Sequence, residues 1–343
     1  MKGFRTVAIL SALAAWAGLA RAGEPVPVNV GITNVVADAP FFVADKRGYF
    51  AAENLKVNLI AFDAAAKMIA PLASGDLDVG GGGISAGLFN AVARGVGLRI
   101  VADKSSSYLG LGTGALMVRK DLVDSGAYKT PADLKGKKLA VPAAGTGTST
   151  SLDRFFKRNG MSLHDMDIVY LSFPQMATAM QNRAVDAAFL TEPSVSTLVA
   201  KGIAVKIVGD DEMFPNHQIA VTLYSEKFLA GDRDVATRFM RAMLRGVRDY
   251  TNAVSGGKLR GPGAEDMISI LTEYSLIKDP AIYRGLTVHG CDPDGKLNFD
   301  SLQADFDYFK SEGLIEGKVE VRDAIDTSIA AAAVRDLGPY RPM

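Results

Sequence analysis

Apolar and polar positions along this chain alternate between short β-branched runs and longer stretches of helical period. VPVNVGI at Val26–Ile32, LKVNLIAF from Leu55, LRIVA from Leu98, KLAVP from Lys138, DIVYLSF from Asp167 and VKIVG from Val205 are apolar and bounded by glycine, proline or charge. That is the pattern of strands covered on both faces. Between them, FFVADKRGYFAAEN predicts an amphipathic helix, with Phe41, Phe42 and Val43 near its start and Tyr49 and Phe50 further on. Pro40 suits its first turn. AAAKMIAPLASG and PQMATAMQNRA predict two more helices. In DVATRFMRAMLRGVRDYTNAV the apolar residues Phe239, Met240, Met243, Leu244, Val247 and Tyr250 recur with a helical period, and Asp232 or Asp234 can cap its start. FDSLQADFDYFKSEGLI is a further amphipathic helix. Strands alternating with helices imply right-handed crossovers and mostly parallel sheet.

The pattern is stated twice. ARGVGLRIVAD at 93–103 returns as AKGIAVKIVGD at 200–210. SGDLDV at 74–79 has a counterpart in NRAVDA at 182–187, and each is followed by an expected loop, GGGGIS at 80–85 and LTEPS at 190–194. ALMVRKDLV at 115–123 matches IAVTLYSEKFL at 219–229, which reads as the pair of strands carrying the chain from one lobe to the other and back. The expected architecture is α/β with two lobes: 23–116 with 224–343, and 117–223. Ligands of parallel sheets sit beyond the carboxyl ends of the strands, so a solute is expected between the lobes, at those two loops.

Composition narrows the class. Lys2 and Arg5 precede an uncharged run that ends in Ala20-Arg21-Ala22, the form of a secretory signal peptide over 1–22. The expected destination is the periplasm of a Gram-negative bacterium. The single cysteine, Cys291, precludes an internal disulfide and lies far from the cleavage site of a lipoprotein. Without Lys2, Arg5 and Arg21, 35 basic residues face 38 acidic ones, a balance that recruits neither nucleic acid nor anionic lipid. About 320 mature residues are enough for two domains.

The most suggestive stretch is GTGTSTSLDRFF at 145–156, where glycines and hydroxyls open a helix. Free backbone N–H groups and the helix dipole there favour an acceptor or anion, although the GK[ST] ending of a P-loop is missing. The same residues serve equally as ordinary capping chemistry. Gly83 and Ser85 take the equivalent place in the first lobe. Asp38 and Glu192 are carboxylates expected on opposing loops, with a backbone-capping role as the other reading. Lys104 is the basic candidate of the cleft. Phe41, Tyr108 and Phe173 could stack on a ring, or be core. His217 precedes the return strand near the hinge, as a cleft residue or a satisfied structural histidine. His164, His217 and His289 are too widely separated for a metal site. CDPDGKLNFD at 291–300 lacks the closing glutamate of a calcium loop and reads as a turn before a helix.

PFFVADKRGYFAAENLKV, LASGDLDVGGGGISAGLFNAVARG, ADLKGKKLAV and DAAFLTEPSV together resemble one group of ABC-importer substrate-binding proteins, the group that binds nitrate, sulfonates, taurine and thiamine-pyrimidine precursors. The tail YFKSEGLIEGKVEVRDAIDTSIAAAAVRDLG is similar to that group's C-terminal pair of helices. The resemblance implies a hinge-bending type II periplasmic-binding-protein fold, monomeric and without cofactor, that delivers its solute to a membrane permease and ATPase. It maps pocket loops onto Asn34, Asp38, Gly83, Ser85, Ser105, Ser106, Ser107, Thr146, Thr148, Ser149, Thr150, Phe173, Gln175, Glu192 and His217. The scarcity of basic residues on these loops points away from nitrate and simple sulfonates, toward a polar heterocyclic or aromatic solute. The alternatives are a receptor for such an anion, a receptor signalling to a membrane sensor, or a biosynthetic enzyme on the same fold. The pyrimidine-forming enzymes carry a cysteine-rich signature that one cysteine cannot supply.

Overall fold

Val28, Val30 and Ile32 are buried along the first strand, as β-branched residues of a strand covered on both faces should be. A computed structural model describes residues 24–342; the expected signal peptide lies outside the described residues. The first half runs β1 (Val26–Ile32), α1 (Ala39–Lys46), α2 (Tyr49–Ala52), β2 (Leu55–Ala61), α3 (Ile69–Ser74), β3 (Val79–Gly83), α4 (Ala86–Ala93) and β4 (Arg99–Ser107). The chain then crosses into β5 (Gly114–Arg119), α5 (Lys120–Asp124), β6 (Lys138–Val141), α6 (Gly147–Arg158), β7 (Asp167–Tyr170), α7 (Phe173–Gln181), β8 (Ala187–Thr191), α8 (Ser194–Ala200), β9 (Ala204–Gly209) and α9 (Asp210–Met213). It returns through β10 (His217–Tyr224) to α10 (Glu226–Ala230), α11 (Arg233–Ala253), α12 (Ala264–Tyr274), α13 (Pro280–Gly285), α14 (Phe299–Ser311) and α15 (Ser328–Leu337).

The two five-stranded sheets have the same plan. One is ordered β2-β1-β3-β10-β4 and the other β7-β6-β8-β5-β9. In each, four strands run parallel and one runs against them: β10 is antiparallel to β3 and β4, and β5 is antiparallel to β8 and β9. These antiparallel strands are the two crossing strands, and each sits inside the sheet it enters. All of β5 pairs within the second sheet and all of β10 within the first, so the expected division points, after 116 and after 223, fall within strands. The chain changes sheets earlier, at 108–113 and 214–216.

Two large apolar clusters flank the first sheet. Phe41, Phe42 and Phe50 of α1 and α2 pack with Phe239, Met243 and Val247 of α11 on one face, and Leu88 and Phe89 of α4 meet Leu302, Phe306 and Phe309 of α14 on the other. The second sheet is likewise covered on both faces, by α6 and by α7 with α8. The single helix expected over FFVADKRGYFAAEN is broken in two, because Gly48 stands at φ 69° between α1 and α2.

Two expected loops are strands. GGGG at 80–83 belongs to β3, where its register is fixed by β1 on one side and β10 on the other. A glycine run reads as a loop because it has no side chain to pack, yet here the neighbours fill that space. A Cβ on Gly81 would lie 2.7 Å from Phe41 Cε2 and 3.0 Å from Lys104 Cδ. KSSS at 104–107, which also reads as loop, extends β4 through pairing with β10. LTEPS begins inside β8, which continues to Thr191.

Gly81→Ala is therefore expected to lower stability by about 1–3 kcal/mol through overpacking against Phe41. Gly83→Ala, whose nearest neighbour is the Ile219 carbonyl at 3.7 Å, should change it by less than about 0.5 kcal/mol. Urea titration of the two variants makes the comparison, and equal losses would refute the close-packing account of β3.

Candidate ligand-binding seam between the lobes

The carboxyl ends of β1 to β4 in one sheet and β6 to β9 in the other end in loops, and two of those loops touch. The Ala86 N–H donates to the Gly145 carbonyl at 2.8 Å, and the Gly147 N–H donates to the Ile84 carbonyl at 3.1 Å. Ser85 and Thr146 form a two-residue antiparallel bridge across the lobes. Each then starts a helix. The Ser85 side chain accepts from the Leu88 N–H to cap α4, and Thr146 occupies the cap position of α6. The glycines and hydroxyls at 145–150 thus meet the end of the glycine strand of the other lobe.

The crossings are tied together behind this seam. The Gly110 N–H donates to Asp211 Oδ2 at 2.8 Å and the Gly114 N–H to Asp210 Oδ2 at 3.0 Å, so carboxylates after β9 grip the outgoing crossing. The Asn216 N–H donates to the Ser107 carbonyl at 2.8 Å, joining the return crossing to the end of β4. Burial pushes the Asp210 carboxyl up to about 6, against the pull of the Gly114 N–H. Asp103, on β4, is wholly buried. It accepts from Gln218 Nε2 at 2.5 Å, the Asp292 N–H at 2.6 Å and Ser106 Oγ at 3.1 Å, and burial pushes it up to about 7.

The first lobe contributes a buried ion pair. Lys104 Nζ donates to Asp38 Oδ1 at 2.6 Å with both side chains at most 2 % exposed. The other oxygen of Asp38 accepts from the Thr33 and Val35 N–H groups at 2.9 and 3.2 Å. The pair anchors the loop after β1. Losing one partner of such a pair leaves an uncompensated buried charge, at about 3–5 kcal/mol.

The remaining expected residues divide. Ser105 and Ser106 are buried at the end of β4, while Thr146, Thr148, Ser149 and Thr150 open α6 beside Gly83 and Ser85. Thr146 Oγ1 and Ser149 Oγ both donate to the Ala143 carbonyl, at 3.4 and 3.5 Å. Thr150 Oγ1 is buried with no hydrogen-bond partner among the described residues. Asn34, at φ 56°, borders a groove of about 430 Å³ beside β2 together with Asp45 and Tyr274. Five residues make contacts within the protein. Phe41 is fully buried against Phe239, with 6.2 Å between ring centroids. Phe173 packs between the two core clusters of the second lobe. Gln175 is exposed and accepts from the Ser172 N–H and hydroxyl, capping α7. Glu192 accepts from the Ser196 N–H at 3.0 Å and the Ser196 hydroxyl at 2.7 Å, spending both oxygens on the start of α8. His217 is 1 % exposed, between Ser151 and Asp305.

Asp305 escaped the sequence reading. Its signal is an acid three residues from Leu302 and four from Phe309, inside the apolar stripe of α14 rather than opposite it.

Comparison with known proteins gives a consistent assignment. A family model described as NMT1/THI5 like matches residues 36–253. The taurine-binding periplasmic protein of Escherichia coli (strain K12) is 33 % identical over 186 residues, 54 % of this chain and 54 % of that protein. The chain thus spans about half the length of that relative. The alkanesulfonate-binding protein of Xanthomonas axonopodis pv. citri, solved bound to MOPS, superimposes with a TM-score of 0.67 at 22 % identity, over 88 % of this chain and 99 % of that one. The periplasmic nitrate-binding protein of Synechocystis PCC 6803 gives a TM-score of 0.75 at 13 % identity, over 92 % and 90 % of the two chains. The two structures share the periplasmic-binding-protein fold with this chain.

The buried acids set a pH dependence. Asp103 holds its proton more tightly folded, at about 7, than unfolded, near about 4. The stability this contributes is complete below pH ~4 and is lost as pH rises through about 7, by up to about 1.4 kcal/mol per unit. Asp210 adds to the same fall up to about pH 6. Asp103→Asn should shrink the difference in urea stability between pH 4.5 and 7.5 by about 1–3 kcal/mol; an unchanged difference would place the titration elsewhere.

Proposed function

Because the chain belongs to the NMT1/THI5-like family, we propose that it is the solute-binding component of an ABC importer, closing its two lobes on a small organic sulfonate or similar oxyanion. One observation carries this reading: the backbone hydrogen bonds between 84–86 and 145–147 bring the hydroxyl-rich start of α6 to the opposite lobe, with Thr150 Oγ1 buried and unpartnered in that same turn. An acceptor from a solute would complete it. The positive end of α6, with Thr148 and Thr150, supplies donors for sulfonate oxygens without a cationic side chain, as anion sites at helix N-termini do. Lys104 is not needed for the contact, since Asp38 already neutralises it.

On this reading the scarcity of basic residues no longer argues against a sulfonate. A heterocyclic solute has less support, because Phe41 belongs to the core and Phe173 is held between core clusters. Ser85, Ser105, Ser106, Thr146, Thr148, Ser149 and Thr150 are the proposed lining. Delivery to a permease and ATPase, residence in the periplasm, monomeric state and the absence of catalysis belong to the same proposal.

A cognate solute at a hundredfold excess over its Kd adds about 2.7 kcal/mol to the folded state, enough to raise Tm by several degrees. A thermal-shift series with taurine, ethanesulfonate, nitrate and a thiamine-type pyrimidine is expected to respond to the sulfonates. Thr150→Val should then weaken binding about tenfold, and Glu192→Gln should leave affinity within about twofold because Glu192 serves α8. A response to the pyrimidine alone would overturn the oxyanion assignment.

A further inference from the structure

Ser151, His217 and Asp305 come from three distant parts of the sequence and meet in the interior. Ser151 lies on α6 of the second lobe, His217 opens the return strand β10, and Asp305 is on α14, which packs on the first lobe. The Ser151 hydroxyl is 3.1 Å from His217 Nδ1, and His217 Nε2 is 3.0 and 3.1 Å from the two Asp305 oxygens. All three are at most 1 % exposed. The imidazole also stacks on Phe214, with centroids 4.4 Å apart and planes 14° from parallel, and Arg154 of α6 lies over the Phe214 ring at 3.9 Å. Below it, a Cβ on Gly147 would come within 2.9 Å of His217 Cε1, so the ring rests directly on the backbone that begins α6.

α14 is built to bridge the lobes. Leu302, Phe306 and Phe309 anchor it in the first lobe, where Phe89 and Phe306 meet edge to face. A second stripe of Asp305, Tyr308 and Glu312 points toward the other lobe. Glu312 reaches His164 Nε2 at 2.8 Å, and burial, then the Glu312 and Asp153 carboxylates, push the Tyr308 phenol up.

The geometry points to Asp305 and His217 as positioning residues that hold the first turn of α6 in its solute-binding orientation. The inference rests on the solute-binding reading of that turn. When the imidazole carries a single proton and that proton faces the Asp305 carboxylate on Nε2, Nδ1 receives the Ser151 O–H. The chain of bonds runs hydroxyl to imidazole to carboxylate and fixes the rotation of α6 about its axis, with Thr150 one residue and Thr148 three residues before Ser151. Nucleophilic chemistry is not implied: Ser151 is sealed inside the helix contact and makes its bond to Nδ1.

The relay is read without any solute. Amide hydrogen exchange on the full chain should show residues 149–153 exchanging about tenfold faster in both Asp305→Asn and Ser151→Ala, with amides of α11 changed less than twofold. The double variant should exchange no faster than the quicker single one, because either change breaks the same chain. Taurine affinity, the probe for binding, should weaken about fivefold in each. Unchanged exchange at 149–153 in Ser151→Ala, or effects that multiply in the double variant, would overturn the relay; Ser151→Ala removes only a hydroxyl and decides the matter if Asp305→Asn fails to fold. If taurine, ethanesulfonate and nitrate all fail to bind the unaltered protein while the exchange pattern holds, the solute assignment falls and the relay stands.

Discussion

The backbone ladder between β3 and β10 is the interaction on which the rest of the structure depends. β3 is nearly all glycine and therefore contributes almost no side-chain burial of its own; its place is secured by hydrogen bonding to β1 and β10. Into the space left by its missing side chains come Phe41 from one helix and Lys104 from the next strand. Lys104 is then close enough to Asp38 to be neutralised, and Asp38 is thereby free to hold the loop after β1. β10, brought to the same ladder, places His217 and Gln218 at its leading end, against β4 on one side and α14 on the other. A local absence of side chains thus organises an ion pair, a loop and a hinge.

Electrostatics in the seam follow from this arrangement. Charges near it are consumed internally: Lys104 by Asp38, Glu192 by the start of α8, and Asp210 and Asp211 by the amides of the outgoing crossing. What remains for the proposed solute is dipolar, made of hydroxyls and a helix start. Such groups need no counter-charge when empty, so an unoccupied seam does not carry the desolvation penalty that an unpaired buried cation would.

Much of the fold was legible in the sequence because burial on both faces leaves a compositional trace. The repeated helix–strand units and the crossing strands could be read from apolar runs. The misread segments share a cause. Glycine at 80–83 and serine at 105–107 form strands through pairing with β10, more than a hundred residues away, which no local propensity records. In the candidate site, the hydroxyls of α6 were legible as a helix start. Asp38 and Glu192 were ambiguous because a carboxylate near a helix start looks the same whether it caps a backbone or faces a solute. Asp305 was hidden by distance: its partner His217 lies 88 residues earlier, and Ser151, on the other side of that imidazole, earlier still.

The exchange of strands has a consequence for how the molecule could be taken apart. The second lobe is a continuous stretch, with β5 supplied from its own beginning and all five of its strands between 114 and 209. The first lobe is not: severing the chain at both crossings would leave β1 to β4 on one peptide and β10 with the long helix α11 on another. Two such peptides, mixed, would have to find each other through the glycine strand, making that lobe a natural split reporter whose reassembly signals that its ladder has zipped.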